Sequence, residues 1–138
     1  MGGDRLIIRN DVAELRRMSE WLVGSGRAAG LSNEVLSRLE VCANEAVSNI
    51  ISYAYEDTAG HDIALELSQT STGACLIIRD DGKPFNMLNE PEHQPPTSLA
   101  EAKIGGLGLP LMRGLMARCG YQRENGFNVL SLEASSSP

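Results

Sequence analysis

Glu45 and Asn49 stand four residues apart in a helix-periodic stretch, so their side chains project from nearly the same face, with Ser52 close to that stripe. An Asn carbonyl oxygen is a neutral ligand that suits a hard cation beside phosphates. A carboxylate one turn earlier can take a proton from an attacking hydroxyl or water. Farther along, Asp80-Asp81-Gly82 closes an apolar run. A carboxylate at such a strand end can accept a hydrogen bond from an adenine amino group, and Gly82 lets backbone approach a ring. Gly105, Gly106 and Gly108 then precede an inferred helix start at Pro110. Free N–H groups and a positive dipole end attract phosphate there, and glycines let the chain wrap the anion without Cβ clashes. Each fragment alone has a plain structural alternative: a solvated helix face, an ordinary Asp/Gly turn, a loop hinge. Their order and spacing together describe a pocket for a magnesium nucleotide.

Other chemistries fit less well. No Gly-Lys-Ser/Thr follows the glycines, so this is not a Walker loop, and no short strand-turn-helix precedes them, so it is not a dinucleotide fingerprint. His61 and His93 lie in polar loop contexts without a Ser/Asp partner pattern, which argues against a catalytic triad. Cys42, Cys75 and Cys119 are far apart, lack metal-ligand spacing and sit among apolar residues, as buried thiols in a reducing cytosol would. Lys83 and Lys103 flank the pocket, with Lys83 read as an exposed lysine. The net charge of -6 argues against a nucleic-acid partner, which would call for a basic stripe. Arg113, Arg118 and Arg123 read as a solvated face. No apolar run is long enough to span a membrane, and the first residues carry neither a secretory h-region nor a myristoylation signal. A cytoplasmic protein is the expectation.

The 138 residues, 42% hydrophobic and 22% charged, are enough for one domain over 1–138 without a disulfide or metal staple. Positions 5–9 read as a strand. Asn10 and Asp11 offer N-cap chemistry for a helix with Val12, Leu15, Met18 and Leu22 on its stripe, broken by Gly24, Gly26 and Gly30. Ser32 or Asn33 caps a longer helix through Val35, Leu39, Ala43, Ala46, Val47, Ile50 and Ala54. Ile63, Leu65 and Leu67 alternate as a half-buried strand, and 74–78 form a more continuously apolar one. A Pro-rich connection follows, about 86–104. The last helix carries Leu111, Met112, Leu115, Met116 and Cys119, with Gly120 fitting C′. Two strands at 121–123 and 128–132 flank an Asn-Gly turn, and 134–138 form a frayed tail. Hairpins outnumber crossovers, so the expectation is an α+β two-layer sandwich: a mixed, mostly antiparallel sheet with helices on one face.

The segments Asn44-Glu-Ala-Val-Ser-Asn-Ile, Asp80-Asp-Gly-Lys-Pro-Phe and Gly105-Gly-Leu-Gly-Leu-Pro-Leu-Met resemble the N, G1 and G2 boxes of the GHKL ATPase superfamily. Within it they most resemble the anti-sigma-factor serine/threonine kinases of bacterial partner-switching systems. The closing Gly126-Phe-Asn-Val-Leu-Ser-Leu is similar to that group's last strand, so the resemblance runs from about Leu6 to Leu132. It implies a Bergerat-type fold and a set of roles. Asn49 ligates Mg²⁺, Glu45 is the general base, and Asp80 holds the adenine amino group with Gly82 beneath the base. Gly105, Gly106, Gly108 and Leu109 belong to the loop that binds the nucleotide phosphates, and the Pro-rich segment is the ATP lid. The implied reaction moves the γ-phosphoryl of ATP to a Ser or Thr of a STAS-domain antagonist. Sequestration of a sigma factor or another regulator, and a homodimer, belong to the same implication. Helix 10–27 is a candidate dimer contact if Trp21 and Leu22 leave apolar area exposed, and Trp21 reads equally as a core residue.

Two departures stand out. Tyr53 precedes Ala54-Tyr55 where many relatives carry His or another polar residue, and the lid holds no evident Arg for the γ-phosphate. The second departure keeps open a nucleotide-gated switch that holds its partner without phosphorylating it. An isolated histidine-kinase catalytic domain is disfavoured, because the first thirty residues contain no His and the chain reads as a single catalytic domain.

Overall fold

A computed structural model of the chain describes residues 4–57, 59–89 and 108–136. Strand β1 (Asp4–Arg9) is followed by a 3₁₀ turn (Val12–Glu14), then helices α1 (Leu15–Ala28) and α2 (Asn33–Tyr53). Strands β2 (Asp62–Gln69) and β3 (Gly73–Asp80) form a hairpin. A second 3₁₀ turn (Met87–Asn89), helix α3 (Gly108–Leu115) and the hairpin β4 (Arg118–Glu124) and β5 (Phe127–Ser135) complete the order.

The five strands lie in the order β1-β2-β3-β5-β4. All four neighbour pairs are antiparallel, so the sheet among the described residues is not mixed, as expected from sequence, but wholly antiparallel. One face of β1, β2, β3 and β5 supplies the core. Ile8, Ile63, Leu65, Leu76, Ile78, Leu130 and Leu132 are buried there with Met18, Leu22, Leu39, Ala43, Val47 and Ile50 from α1 and α2. Each large aliphatic side chain buried this way contributes roughly 1.5–3 kcal/mol relative to exposure. This packing holds α2 against the sheet and so fixes the direction of its polar stripe.

The boundaries follow local chemistry. The Asp11 carboxylate accepts the Ala13 N–H at 2.9 Å, so it caps the 3₁₀ turn rather than α1, and Val12 is 63% exposed instead of joining the apolar stripe. Helix α1 runs through Gly24 and Gly26 rather than breaking there. A Cβ on Gly26 would lie 2.1 Å from Leu36 Cδ2, so this glycine marks the close approach of α1 to α2. Gly30, at φ +87°, ends the helical path. Ser32 Oγ accepts the Val35 N–H at 3.2 Å and caps α2.

Two further expectations are corrected. Leu22 is fully buried and Trp21 packs against the core, so α1 does not leave the apolar area from which its dimer role was inferred. Helix α3 ends at Leu115, and Cys119 and Gly120 belong to β4, where Gly120 faces Ser131. A Cβ on Gly120 would lie 2.9 Å from Ser131 Oγ, which gives that glycine a sheet-packing reason instead of a helix-capping one. The β4–β5 turn is as expected: Asn125 and Gly126 have φ of 52° and 86°, the left-handed pair of a tight hairpin.

Candidate functional site

The segment leaving β3 runs back along the last turns of α2. Gly82 meets Ala54: Lys83 N–H donates to the Ala54 carbonyl at 2.8 Å, and a Cβ on Gly82 would lie 2.5 Å from that oxygen. Only glycine fits this approach. Phe85 lies against Tyr53, ring centroids 6.0 Å apart, and Met87 reaches Asn49. Residues 80–87 and α2 thus form two walls of one polar corner.

At the α2 wall, Asn49 is 4% exposed although it is polar. Its Nδ2 faces the Met87 sulfur at 4.0 Å, a weak acceptor, and its Oδ1 is buried with no hydrogen-bond partner among the described residues. A buried unpaired carbonyl oxygen costs roughly 1–3 kcal/mol. It is the donor atom a hard cation takes, so the residue fits Mg²⁺. Glu45 lies one turn earlier and is half-buried. No described hydrogen bond or ion pair engages its carboxylate.

At the β3 wall, Asp80 is 2% exposed. Its Oδ1 accepts the Gly82 N–H at 2.9 Å and the Asn128 amide at 2.9 Å. Burial raises its pKa, the two hydrogen bonds oppose that rise, and the neighbouring Asp81 charge adds to it. Asn128 faces Asp80 directly across β3 and β5. Its Nδ2 also donates to the Lys83 carbonyl at 2.8 Å. Its Oδ1 accepts from Phe85 N at 3.1 Å, from Arg123 Nη1 at 3.2 Å and from the Tyr121 hydroxyl. Arg123 Nη1 further donates to the Gly82 carbonyl at 2.8 Å.

Beside this wall, His61 is not the unpartnered loop residue expected from sequence. Its Nε2 lies 2.8 Å from Asp57 and its Nδ1 3.4 Å from Asp81, while its ring stacks on Tyr55 at 4.5 Å. The Asp57 hydrogen bond raises its pKa despite partial desolvation. The Tyr55 hydroxyl is the other buried unpartnered polar atom among the described residues, and burial, then the Asp80 and Asp81 charges, push its pKa up.

Residues 80–87 therefore run beside the end of α2, with Gly82 at Ala54 and Met87 at Asn49, and Glu45 lies one turn farther back along the helix. Gly105 and Gly106 lie outside the described residues. Gly108 and Leu109 open α3, two residues earlier than Pro110, so Gly108 belongs to the first helical turn. Helix α3 packs on α2, and Arg113 Nη2 donates to the Leu88 carbonyl at 3.1 Å, tying α3 to the second 3₁₀ turn. Asn128 and Tyr121 were missed, and Arg123, read with Arg113 and Arg118 as a solvated helix face, instead lies in β4 and donates to the Gly82 carbonyl and Asn128 Oδ1. A polar residue at an inward position of the alternation Asn128, Leu130, Leu132, Ala134 is the signal that could have found Asn128. A groove of about 490 Å³ on the opposite sheet face is lined by Ile7, Ile77 and Phe127 together with Arg5, Asp62, Glu66 and Arg79; Asp62 pairs with Arg9 and Arg79 with Glu124.

The histidine kinase-like ATPase domain model matches residues 8–134, nearly the whole described sheet and all three helices. The chain belongs to that family. Its members most similar to this chain include the serine/threonine-protein kinase BtrW of Bordetella bronchiseptica, 39% identical over 102 residues, which are 72% of this chain and 70% of that protein. The serine-protein kinase RsbW of Listeria innocua is 25% identical over 130 residues, 91% of this chain and 82% of that protein. Among solved structures, the RsbU and RsbW domains of Rv1364c from Mycobacterium tuberculosis superpose with a TM-score of 0.67 at 14% identity, over 98% of this chain and 33% of that one. The blue-light activated histidine kinase EL346 of Erythrobacter litoralis gives 0.58 at 17% identity, over 91% of this chain and 41% of that one. The chain thus spans less than half of either solved chain, and both likenesses concern the fold alone. Among the described residues of this family member, no helix is long and apolar enough to cross a membrane.

Proposed function

We propose that this chain is an ATP-dependent protein serine/threonine kinase acting on a STAS-domain antagonist and sequestering a sigma factor or another regulator. The observation that carries the reading is the buried Asn49 Oδ1, unpartnered among the described residues, one helical turn from the Glu45 carboxylate, which no described hydrogen bond or ion pair engages. An oxygen held dry and unpaired is stabilised by a cation, and a free carboxylate beside it can take a proton. The names of the BtrW and RsbW relatives support the kinase class.

Asp80 would accept the adenine amino N–H, with Gly82 keeping the backbone low beneath the base. Asn49 would hold Mg²⁺, which when bound neutralises charge on the phosphates. Gly105, Gly106, Gly108 and Leu109 would close around the phosphates at the start of α3. Glu45 would take the proton of the acceptor Ser or Thr hydroxyl as its oxygen bonds to the γ-phosphorus and the β–γ bridging bond breaks, leaving ADP. A homodimer in the cytoplasm completes the proposal; light scattering that finds only monomer at high concentration would exclude the dimer.

The test is incubation with Mg-ATP and the STAS-domain protein encoded nearest to this gene, read by intact-protein mass spectrometry. The expected result is a one-phosphate gain on a Ser or Thr of the partner. No gain with ATP still bound in calorimetry would replace the kinase with a nucleotide-gated holding module. Neither transfer nor binding would overturn the site.

A further inference from the structure

We propose that Asn128 is a positioning residue for nucleotide recognition: its amide fixes which Asp80 oxygen faces the base and so sets preference for an amino-bearing purine over an oxo-bearing one. This deepens the reading of Asp80 as the base-recognition carboxylate and rests on it.

The amide's orientation is fixed by its neighbours. Three donors converge on Asn128 Oδ1, from Phe85 N, Arg123 Nη1 and the Tyr121 hydroxyl. A flipped amide would set N–H against Phe85 N–H and the Arg123 guanidinium, which can only donate, so Nδ2 must face Asp80 and the Lys83 carbonyl. At 3% exposure, water does not compete for these bonds. Both donors that reach Asp80, Gly82 N–H and Asn128 Nδ2, fall on the same oxygen, Oδ1. No described group engages Oδ2. The carboxylate is thereby turned so that a single acceptor oxygen remains for a ligand.

Those bonds also favour the ionised form of a carboxyl that burial pushes toward neutrality. An ionised carboxylate only accepts: it takes an amino N–H of adenine and opposes the carbonyl oxygen that guanine presents at the same ring position. A protonated carboxyl can donate to that oxygen instead. Removing Asn128 should therefore free the carboxylate to rotate and make it easier to protonate. Binding that needs ionised Asp80 is lost as pH falls through its folded pKa. A higher pKa moves that loss to higher pH.

The experiment measures ATP and GTP binding by calorimetry across pH for the unsubstituted chain, Asn128→Leu and Tyr121→Phe. For Asn128→Leu, ATP affinity should fall roughly 10- to 100-fold, the range of a lost hydrogen bond to a charged group. GTP should fall less, and the acid limb of ATP binding should move to higher pH. Tyr121→Phe keeps Asn128 but removes one of its orienting donors, so it should shift both readouts the same way by less. Equal losses for ATP and GTP with an unmoved acid limb mean a merely structural Asn128 and overturn the proposal. If Asn128→Leu does not fold, Tyr121→Phe decides alone: an unchanged ATP/GTP ratio and acid limb sink the idea. If the unsubstituted chain binds neither nucleotide, the Asp80 reading fails first and takes this one with it. ATP binding that survives Asp80→Asn undiminished has the same meaning.

Discussion

The two walls of the polar corner are built on opposite plans. At the β3 wall the hydrogen bonds that orient Asp80 are already in place, from Asn128, Tyr121, Arg123 and the 82–85 backbone, and only Asp80 Oδ2 is left unengaged among the described residues. At the α2 wall, Asn49 Oδ1 is dry and unpaired and Glu45 is unengaged among the described residues. The first plan is a preorganised recognition surface, which spends no ordering free energy when a ligand arrives. The second leaves a buried acceptor unpaired among the described residues, at a cost to the fold. A shape-selective, rigid end and a charge-selective, unsatisfied end are what phosphoryl transfer asks of a protein, since its catalysis is chiefly positioning and charge neutralisation.

Four substitutions sharpen or break this contrast. The largest effect is expected from Glu45→Gln, which keeps shape and removes the base. Phosphoryl transfer should fall roughly 10²- to 10⁴-fold with ATP affinity unchanged; single-turnover rates equal to those of the parent would remove Glu45 from the chemistry. Asn49→Leu should next abolish Mg²⁺-dependent nucleotide affinity while leaving the ligand-free fold as stable or more stable, by up to about 1–3 kcal/mol, because an unpaired buried oxygen is lost. A lower ligand-free Tm by calorimetry would mean that Asn49 is satisfied after all and that the contrast is wrong.

Gly82→Ala tests the preorganised wall. Its Cβ would lie 2.5 Å from the Ala54 carbonyl oxygen, so the turn must move away from α2. A stability loss of about 1–3 kcal/mol with weakened ATP binding is expected in denaturant titration and calorimetry; unchanged values would show that the turn has slack. The smallest effect concerns His61. Its pKa is raised in the fold, with Asp57 as the main cause and Asp81 adding to it, so its protonation contributes stability that is fully present below its ordinary value of 6.5. That contribution is lost as pH rises through the folded pKa. The Tm of His61→Ala should therefore differ from the parent's most at low pH and converge above neutrality; a constant difference across pH would separate His61 from the Asp81 turn.

The two walls were also unequally legible in the sequence. Glu45 and Asn49 could be placed because a helical period of four residues is a local rule, and α2 obeys it from the Ser32 cap onward. Asp80 could be placed because an apolar run ending in Asp-Asp-Gly marks a strand end. Asn128 could not be paired with Asp80, because their meeting depends on β5 inserting between β3 and β4, a register that no local pattern states. Gly120 misled for a related reason: a glycine after an apolar stripe resembles a helix cap, and only its close approach to Ser131 shows why it sits in a strand. His61 looked isolated because its partners come from either side of it in sequence, Asp57 in the preceding loop and Asp81 beyond the β2–β3 hairpin.

The placement of β1 at the sheet edge, with Arg9 opposite Asp62 and both long helices between them in the chain, has a kinetic consequence. The β2–β3 and β4–β5 pairs close across short turns, whereas β1 must wait for a long loop to close and then adds only one neighbour. The first strand in chain order is thus expected to be the last to dock. Hydrogen exchange should find its amides opening before those of β3 and β5, so that the chain loses its edge before it loses the β3 wall.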